Sequence, residues 1–255
     1  MVHVYRTATV AKIIGIHPNT VRLYESLGFI QKPNRQENGY RIYTDAHIAQ
    51  IRLVRTGFQI EILQSGLRKK IIRILLLSGS GLIDEAINLT GEYINQIIQE
   101  KNKAEQAIRI VRQLVSETDQ NESLYFSRRQ AAKALQVSED TLRNWERNGL
   151  LAERKKHRGY CIYTESDIKR LKIIRVLRCA NYSHKAIFNM VRRLSYFPDE
   201  NIRDLLDTPD PNDEIISVCD KLITSLQTAE ENARSMLGQL HTIRTLLHSE
   251  SSSKS

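Results

Sequence analysis

Two stretches of the chain place mostly apolar residues at alternating spacings of four and three. The first runs Ile83, Ile87, Thr90, Ile94, Ile97, Lys101, Ala104, Ile108, Val111 and Val115. The second runs Ile215, Cys219, Leu222, Leu226, Ala229, Ala233, Met236, Leu240, Ile243 and Leu247. A heptad seam held over this length predicts long helices that pair as a coiled coil, over 82–116 and 214–248. Each helix would run roughly 50 Å at 1.5 Å per residue. Ser116–Ser123 reads as a polar linker, Phe197–Asp213 as an acidic, Pro-bearing connector, and Ser249–Ser255 as a disordered Ser-rich tail.

Shorter patterns precede each seam. Thr7 can cap a helix over 8–14, and Gly15 suits the turn that ends it. His17-Pro18 opens a second helix, with Pro at the first position, which runs to Ser26 and stops before Gly28. Two short helices joined by a tight turn predict a helix-turn-helix. Phe29-Ile30, the polar stretch 32–39 and Tyr40-Arg41-Ile42-Tyr43 then read as a β-hairpin, a wing beside the helices. Alternation along the strand should send one tyrosine of the pair inward. Thr44 caps a helix over 45–56, and another is expected over 60–76.

The same order returns after the first seam. Ser127 and Gln130 form a capping box, and Ser138 caps a second helix with Glu139 and Asp140 at its positive end. Leu150-Leu151, the basic loop 154–159 and Tyr160-Cys161-Ile162-Tyr163 repeat the wing. Thr164 opens helices expected over 165–180 and 183–195. The correspondence is also literal. At an offset of 121, Ala11 falls on Ala132, Thr20 on Thr141, Arg22 on Arg143, Glu25 on Glu146 and Gly28 on Gly149. One residue is then deleted, and at 120 Gly39-Tyr40 falls on Gly159-Tyr160 and Tyr43-Thr44 on Tyr163-Thr164. The chain therefore carries one small unit twice, over 1–78 and 124–196, each followed by a long helix.

Charge follows the repeats. Residues 1–78 hold 12 Lys/Arg and 4 Asp/Glu, net +8; residues 123–196 hold 17 and 6, net +11. Residues 79–122 hold 4 and 8, net −4, and residues 197–255 hold 5 and 11, net −6. Attraction for a polyanion is thus concentrated on the two repeated units. No apolar run approaches the roughly 20 residues that span a bilayer, and the start lacks a signal-peptide pattern. A cytoplasmic, nucleoid-associated protein is the expectation. Cys161, Cys179 and Cys219 are widely spaced and form no metal or redox motif. No nucleophile motif or phosphate-cradling glycine loop is present, so enzyme chemistry has no support.

Thr20-Val21-Arg22-Leu23-Tyr24-Glu25, Gly39-Tyr40-Arg41-Ile42-Tyr43-Thr44 and Arg55-Thr56-Gly57-Phe58 resemble the MerR family of bacterial transcription regulators. The resemblance covers about 70 residues in each half. It implies winged helix-turn-helix units and long helices that pair antiparallel. By this resemblance Thr20, Arg22 and Tyr24 lie on the recognition helix of the first unit, and Thr141, Arg143 and Trp145 on that of the second. Arg41 resembles the family's phosphate-binding wing arginine, with Arg35 and Tyr40 beside it. Cys161 stands at the equivalent position in the second unit, where Lys155, Lys156, Arg158 and Tyr160 supply the wing's charge and polarity. Family members often carry a second aromatic where Leu23 and Asn144 stand, so the two units need not read identical bases. Metal sensing in the family uses clustered cysteines near the end of the long helix, and residues 244–255 hold none. No metal or cofactor is expected.

The reading is a mainly α protein with two winged helix-turn-helix modules and an antiparallel coiled coil. One chain would act as a covalent pseudo-dimer on double-stranded DNA, at an imperfect inverted repeat. A swapped homodimer carrying four modules is the alternative assembly. The resemblance implies promoter binding with DNA distortion, and RNA polymerase as a further partner. The alternative function is an architectural DNA-binding protein, recombination-directing or chromosome-anchoring, that binds without regulating promoters.

Overall fold

The computed structural model describes residues 3–59, 66–116, 125–151, 156–157, 160–196, 200–209 and 218–252. Among them the protein is mainly α. The order is α1 (Thr7–Ile14), α2 (Pro18–Ser26), β1 (Asn34–Arg35), β2 (Arg41–Ile42), α3 (Asp45–Phe58), α4 (Leu67–Gly79) and α5 (Ile83–Ser116). It continues with β3 (Tyr125–Ser127), α6 (Arg128–Leu135), α7 (Glu139–Arg147), β4 (Lys156–His157), β5 (Tyr160–Thr164), α8 (Glu165–Cys179) and α9 (His184–Tyr196). The last elements are α10 (Ile202–Asp207), a 3-10 turn at Val218–Lys221, and α11 (Leu222–Ser252). The chain divides into two compact units, one of residues 1–98 and 226–255, the other of 99–225. Residues 117–124, 214–217 and 60–65, on which parts of the expected linker, second seam and fourth helix fall, lie outside the described residues.

In the first unit α1 and α2 meet through Gly15 at φ 73°, a left-handed turn that glycine adopts at little cost. Thr7 is the first helical residue; Arg6 holds the cap position without a side-chain bond. His17 caps α2, its Nδ1 accepting from the Asn19 N–H at 3.2 Å. The wing is the antiparallel pair β1–β2, with Arg35 opposite Arg41. Tyr5 closes it from the other side, exchanging both backbone bonds with Tyr43 at 2.8 and 2.9 Å. Val10, Val21, Tyr43, Ile51, Leu53, Val54, Ile74 and Leu75 form the core of the module.

Two polar details fix how these pieces pack. Gln50 is fully buried, accepts from the Gln31 N–H at 2.9 Å and donates to the Ser78 carbonyl at 2.7 Å. It joins the wing's approach, α3 and the end of α4 through one amide. At Gly79 a Cβ would lie 2.0 Å from the Gly28 carbonyl oxygen. The Gly79-Ser80-Gly81 stretch is therefore a site of backbone contact. The fourth helix also starts later than its apolar pattern predicts. Gly66, at φ 73°, occupies the cap position, so α4 begins at Leu67 and runs on to Gly79.

The first seam folds as one helix, α5, whereas the second, expected over 214–248, becomes α helix only at Leu222, after the 3-10 turn at Val218–Lys221. Ile83, Thr90, Ile94 and Ile97 are buried in the first unit, as are Leu226, Ala229, Ala233, Met236, Leu240 and Ile243. Tyr93 and Ala86 widen the stripe. Asp84, at the start of α5, accepts from Arg244, late in α11, at 3.0 Å, a contact that brings these two ends together. That exposed pair contributes at most about 1 kcal/mol. α11 reaches Ser252, where disorder was expected from Ser249. Ser249, Ser251 and Ser252 donate to the carbonyls of Leu246, Leu247 and His248, internal bonds that serve polar side chains within a helix.

The second unit repeats the module with a fuller sheet, in the order β3–β5–β4. Phe126 pairs with Tyr163 as Tyr5 pairs with Tyr43. Ser127 and Gln130 make the capping box, and Ser138 caps α7. The turn between α6 and α7 keeps its left-handed residue, but Gln136 at φ 51° stands where the first unit has Gly15. Within the acidic connector a short helix forms after all. α10 buries Ile202, Leu205 and Leu206, and Asp207 accepts from the N–H groups of Ile223 and Thr224 at the start of α11. Residues 197–199 and 210–213 of that connector lie outside the described residues.

Candidate nucleic-acid interface

Each second helix divides its residues by period. In α2, Val21 and Tyr24 are buried, while Asn19, Arg22, Leu23 and Ser26 are exposed. In α7, Leu142 and Trp145 are buried, while Asp140, Arg143, Asn144 and Arg147 are exposed. The four exposed positions match one for one between the repeats. A three-residue spacing of apolar groups anchors each helix, and the opposite side is left free for a groove of DNA.

Arg22 donates from Nη1 to Asn19 Oδ1 at 2.7 Å. Arg143 donates from Nη1 to Asp140 Oδ1 at 2.5 Å. The two arginines therefore adopt the same pose over the residue three positions earlier. These exposed contacts are weak holds on the side chain, and both guanidinium groups stay accessible for guanine edges or phosphate. Thr20 and Thr141 sit half-buried at the first turn, Thr141 bonded through its hydroxyl to the Ser138 cap at 2.9 Å. Leu23, half exposed at 51%, presents an apolar group suited to a thymine methyl, where the second unit presents the Asn144 amide.

Tyr24 and Trp145 are corrected by this geometry. Tyr24 is 8% exposed, with ring centroids of Phe29 and Phe58 at 6.4 and 6.2 Å. Trp145 is 4% exposed. Both follow a buried residue by three positions, so the helix turns their rings into the core. Both rings pack inside the module, with most of their surface turned away from the exposed face of the helix.

Arg41 is also more than a surface wing arginine. Its Nε donates to Glu25 Oε2 at 2.6 Å, with Glu25 only 11% exposed. That bond ties the wing strand to the recognition helix and makes the guanidinium harder still to deprotonate. In the second unit Cys161 stands in Arg41's place, and the glutamate finds a different cation. Arg128, the equivalent of Thr7, approaches Glu146 to 3.2 Å, with Glu146 only 5% exposed. Tyr163 also donates its hydroxyl to Glu146. Burial, then that bond, pushes the Tyr163 phenol up to about 12. The repeated glutamate is thus locked to the wing in one unit, and to the first helix and the sheet in the other.

The first wing presents Tyr40, 63% exposed, and Arg35, whose Nη1 donates to the Gly39 carbonyl at 3.3 Å across the hairpin tip. Tyr43 is the inward member of its pair, fully buried. Arg6 joins this surface, its guanidinium carbon 5.9 Å from the Tyr40 ring centroid. Sequence reasoning missed Arg6, because only the Tyr5–Tyr43 bridge carries it to the wing. In the second unit Tyr163 is buried, Lys156 lies on β4 and Tyr160 on β5. The side chains of Lys156 and Tyr160, and Lys155 and Arg158 entirely, lie outside the described residues. Arg147, exposed at the end of α7, was also missed, although its spacing of four from Arg143 places it on the same face.

Comparison with known proteins accords with this arrangement. The family model described as MerR HTH family regulatory protein matches residues 5–74 and again 126–194. The HTH-type transcriptional regulator CueR of Escherichia coli O157:H7 is 43% identical over 51 residues, 20% of this chain and 38% of that protein. An uncharacterized HTH-type transcriptional regulator of Synechocystis sp. is 34% identical over 56 residues, 20% of this chain and 41% of its own length. The mercuric resistance operon regulatory protein of Bacillus cereus is 33% identical over 51 residues, 20% of this chain and 39% of that protein. These alignments span about two fifths of each relative. No solved structure matches the chain. No helix of the described residues is long and apolar enough to cross a membrane.

Proposed function

This chain belongs to the MerR family of helix-turn-helix regulatory proteins, and from that premise we propose that it is a transcriptional regulator that reads double-stranded DNA with both modules. The observation that carries the reading is the repeated, exposed arginine. Arg22 and Arg143 occupy one register of two equivalent helices, on the face opposite the core. Each module is strongly basic, and its charge supplies the sequence-independent part of binding.

One polypeptide acts as a covalent pseudo-dimer in this proposal, with α2 and α7 entering successive major grooves about 34 Å apart. Two long seams in one chain, and the Asp84–Arg244 contact between the start of α5 and the late part of α11, support it. DNA is bent and untwisted between the half-sites at a promoter, with RNA polymerase as the partner that responds. The target is an imperfect inverted repeat, because Leu23 faces one half-site and Asn144 the other.

Selection of bound sequences from a random duplex pool by the full chain tests this. An imperfect inverted repeat is expected, occupied by one chain in sedimentation. Arg22→Ala relaxes one half-site and Arg143→Ala the other, each by roughly 1–3 kcal/mol. Two chains per site would replace the pseudo-dimer with a swapped dimer, and dispersed genomic occupancy would favour the architectural role. No selected sequence at all would remove the reading.

A further inference from the structure

In the second unit α5 and α8 flank an open groove of about 380 Å³. Ala107 and Ile110 from α5, with Val176 from α8 and Ala180 just after it, line it with hydrocarbon; Lys103 and Arg175 bring positive charge to it. We infer that this groove is a binding site for a small amphipathic carboxylate. The site concerns this unit alone; only its regulatory consequence rests on the DNA-binding reading.

The first unit shows why the groove is open. The two seams align Ile108 with Leu240, so Ala107 corresponds to Gln239. The repeat aligns Val176 with Thr56. In the first unit Gln239 Nε2 donates to Thr56 Oγ1 at 3.0 Å, a bond that spans the corresponding surface. The second unit has only the Ala107 methyl in place of the glutamine side chain, and a methyl of Val176 in place of the threonine hydroxyl. Both partners of that bond are gone, and an apolar recess of the size usual for small ligands remains.

The charge selects the ligand class. A guanidinium fork and an ammonium favour a carboxylate over a neutral or cationic head. Lys103 now donates to Glu100 at 2.9 Å, and Arg175 donates from Nη2 to Gln136 Oε1 at 3.1 Å. Gln136 is the left-handed residue that ends α6 and begins the turn into α7. The first unit has Gly15 there, with no side chain to receive Arg55. A carboxylate is a stronger acceptor for Arg175 than the Gln136 amide. Ligand binding therefore draws Arg175 from Gln136 and loosens the turn that positions α7.

Titration calorimetry of the full chain without DNA, against sodium decanoate, decyltrimethylammonium bromide and 1-decanol, tests the site. Decanoate should bind once per chain, at least tenfold more tightly than the other two. It should also slow alkylation of Cys179, an exposed thiol that lines the groove. The Ala107→Gln/Val176→Thr variant rebuilds the contact of the first unit and should abolish binding. Arg175→Met should weaken decanoate at least tenfold and leave decanol unchanged. Absence of saturable decanoate binding, or equal affinity in both variants, overturns the site. Amide exchange at Gln136 and Val137 should rise on saturation, and unchanged exchange overturns the coupling. Because these measurements contain no DNA, their failure is separate from failure of the regulatory reading.

Discussion

Arg41 donates to Glu25 at 2.6 Å across sixteen residues of chain, joining the second wing strand to the recognition helix. Where the repeat replaces that arginine with Cys161, a threonine elsewhere has become Arg128, and the equivalent Glu146 keeps a cation. The glutamate is mostly buried in both units, so an anion without a partner is costly there. The pairing explains why two substitutions far apart in sequence occur together.

Arg41→Ala should lower the stability of the first unit by about 1–3 kcal/mol. Thr7→Arg/Arg41→Cys transfers the partner scheme of the second unit and should recover at least half of that loss. Urea denaturation followed by circular dichroism checks both. Equal stability of Arg41→Ala and the unaltered chain would show that the bond does not hold the wing.

Trp145→Ala should destabilise the second unit by roughly 3–5 kcal/mol, because a buried indole leaves a large cavity. Trp145→Phe should keep base discrimination while costing stability. Competition binding with wild-type and altered half-sites separates the two effects; lost discrimination in a folded Trp145→Phe chain would return this residue to the DNA surface.

Burial holds His47 and His184 below the ordinary imidazole value of 6.5. Above that value both states are neutral and the histidines contribute nothing to the pH dependence. As pH falls from about 7 to 5 the unfolded chain takes up protons that the folded one resists, so stability declines. Comparing urea midpoints at the two ends should show a smaller decline for His47→Gln. An unchanged slope would remove His47 as a source.

Gly79→Ala should destabilise the first unit by about 1–3 kcal/mol or more, since the new methyl meets the Gly28 carbonyl backbone and not a movable side chain. Gly91→Ala, where a Cβ meets nothing within 4 Å, is the control and should be neutral or stabilising. Thermal melts of the pair decide it.

DNA affinity should fall steeply with salt, because two basic modules release counterions together. A log–log slope of magnitude about three or more is expected for the full chain. Replacing Arg143 and Arg147 by Ala should reduce that slope; a slope unaffected by these changes would mean that α7 stays off the DNA.

Local rules and repetition made most of the fold legible in the sequence. Ser127, Ser138 and Thr164 state their helix starts because a cap is a contact over three residues. The seams state their buried positions, Ile97 and Leu240 among them, because period alone fixes the face of a long helix. The exposed Arg22 and Arg143 were legible through their shared register. Contacts between distant segments were not. Nothing local tells that Glu25 holds Arg41 while Glu146 holds Arg128, or that Arg6 reaches Tyr40. Periodicity says which side of an element is apolar; only packing decides what stands opposite a given side chain, and so whether a charged or aromatic residue is spent inside the module or left free for DNA.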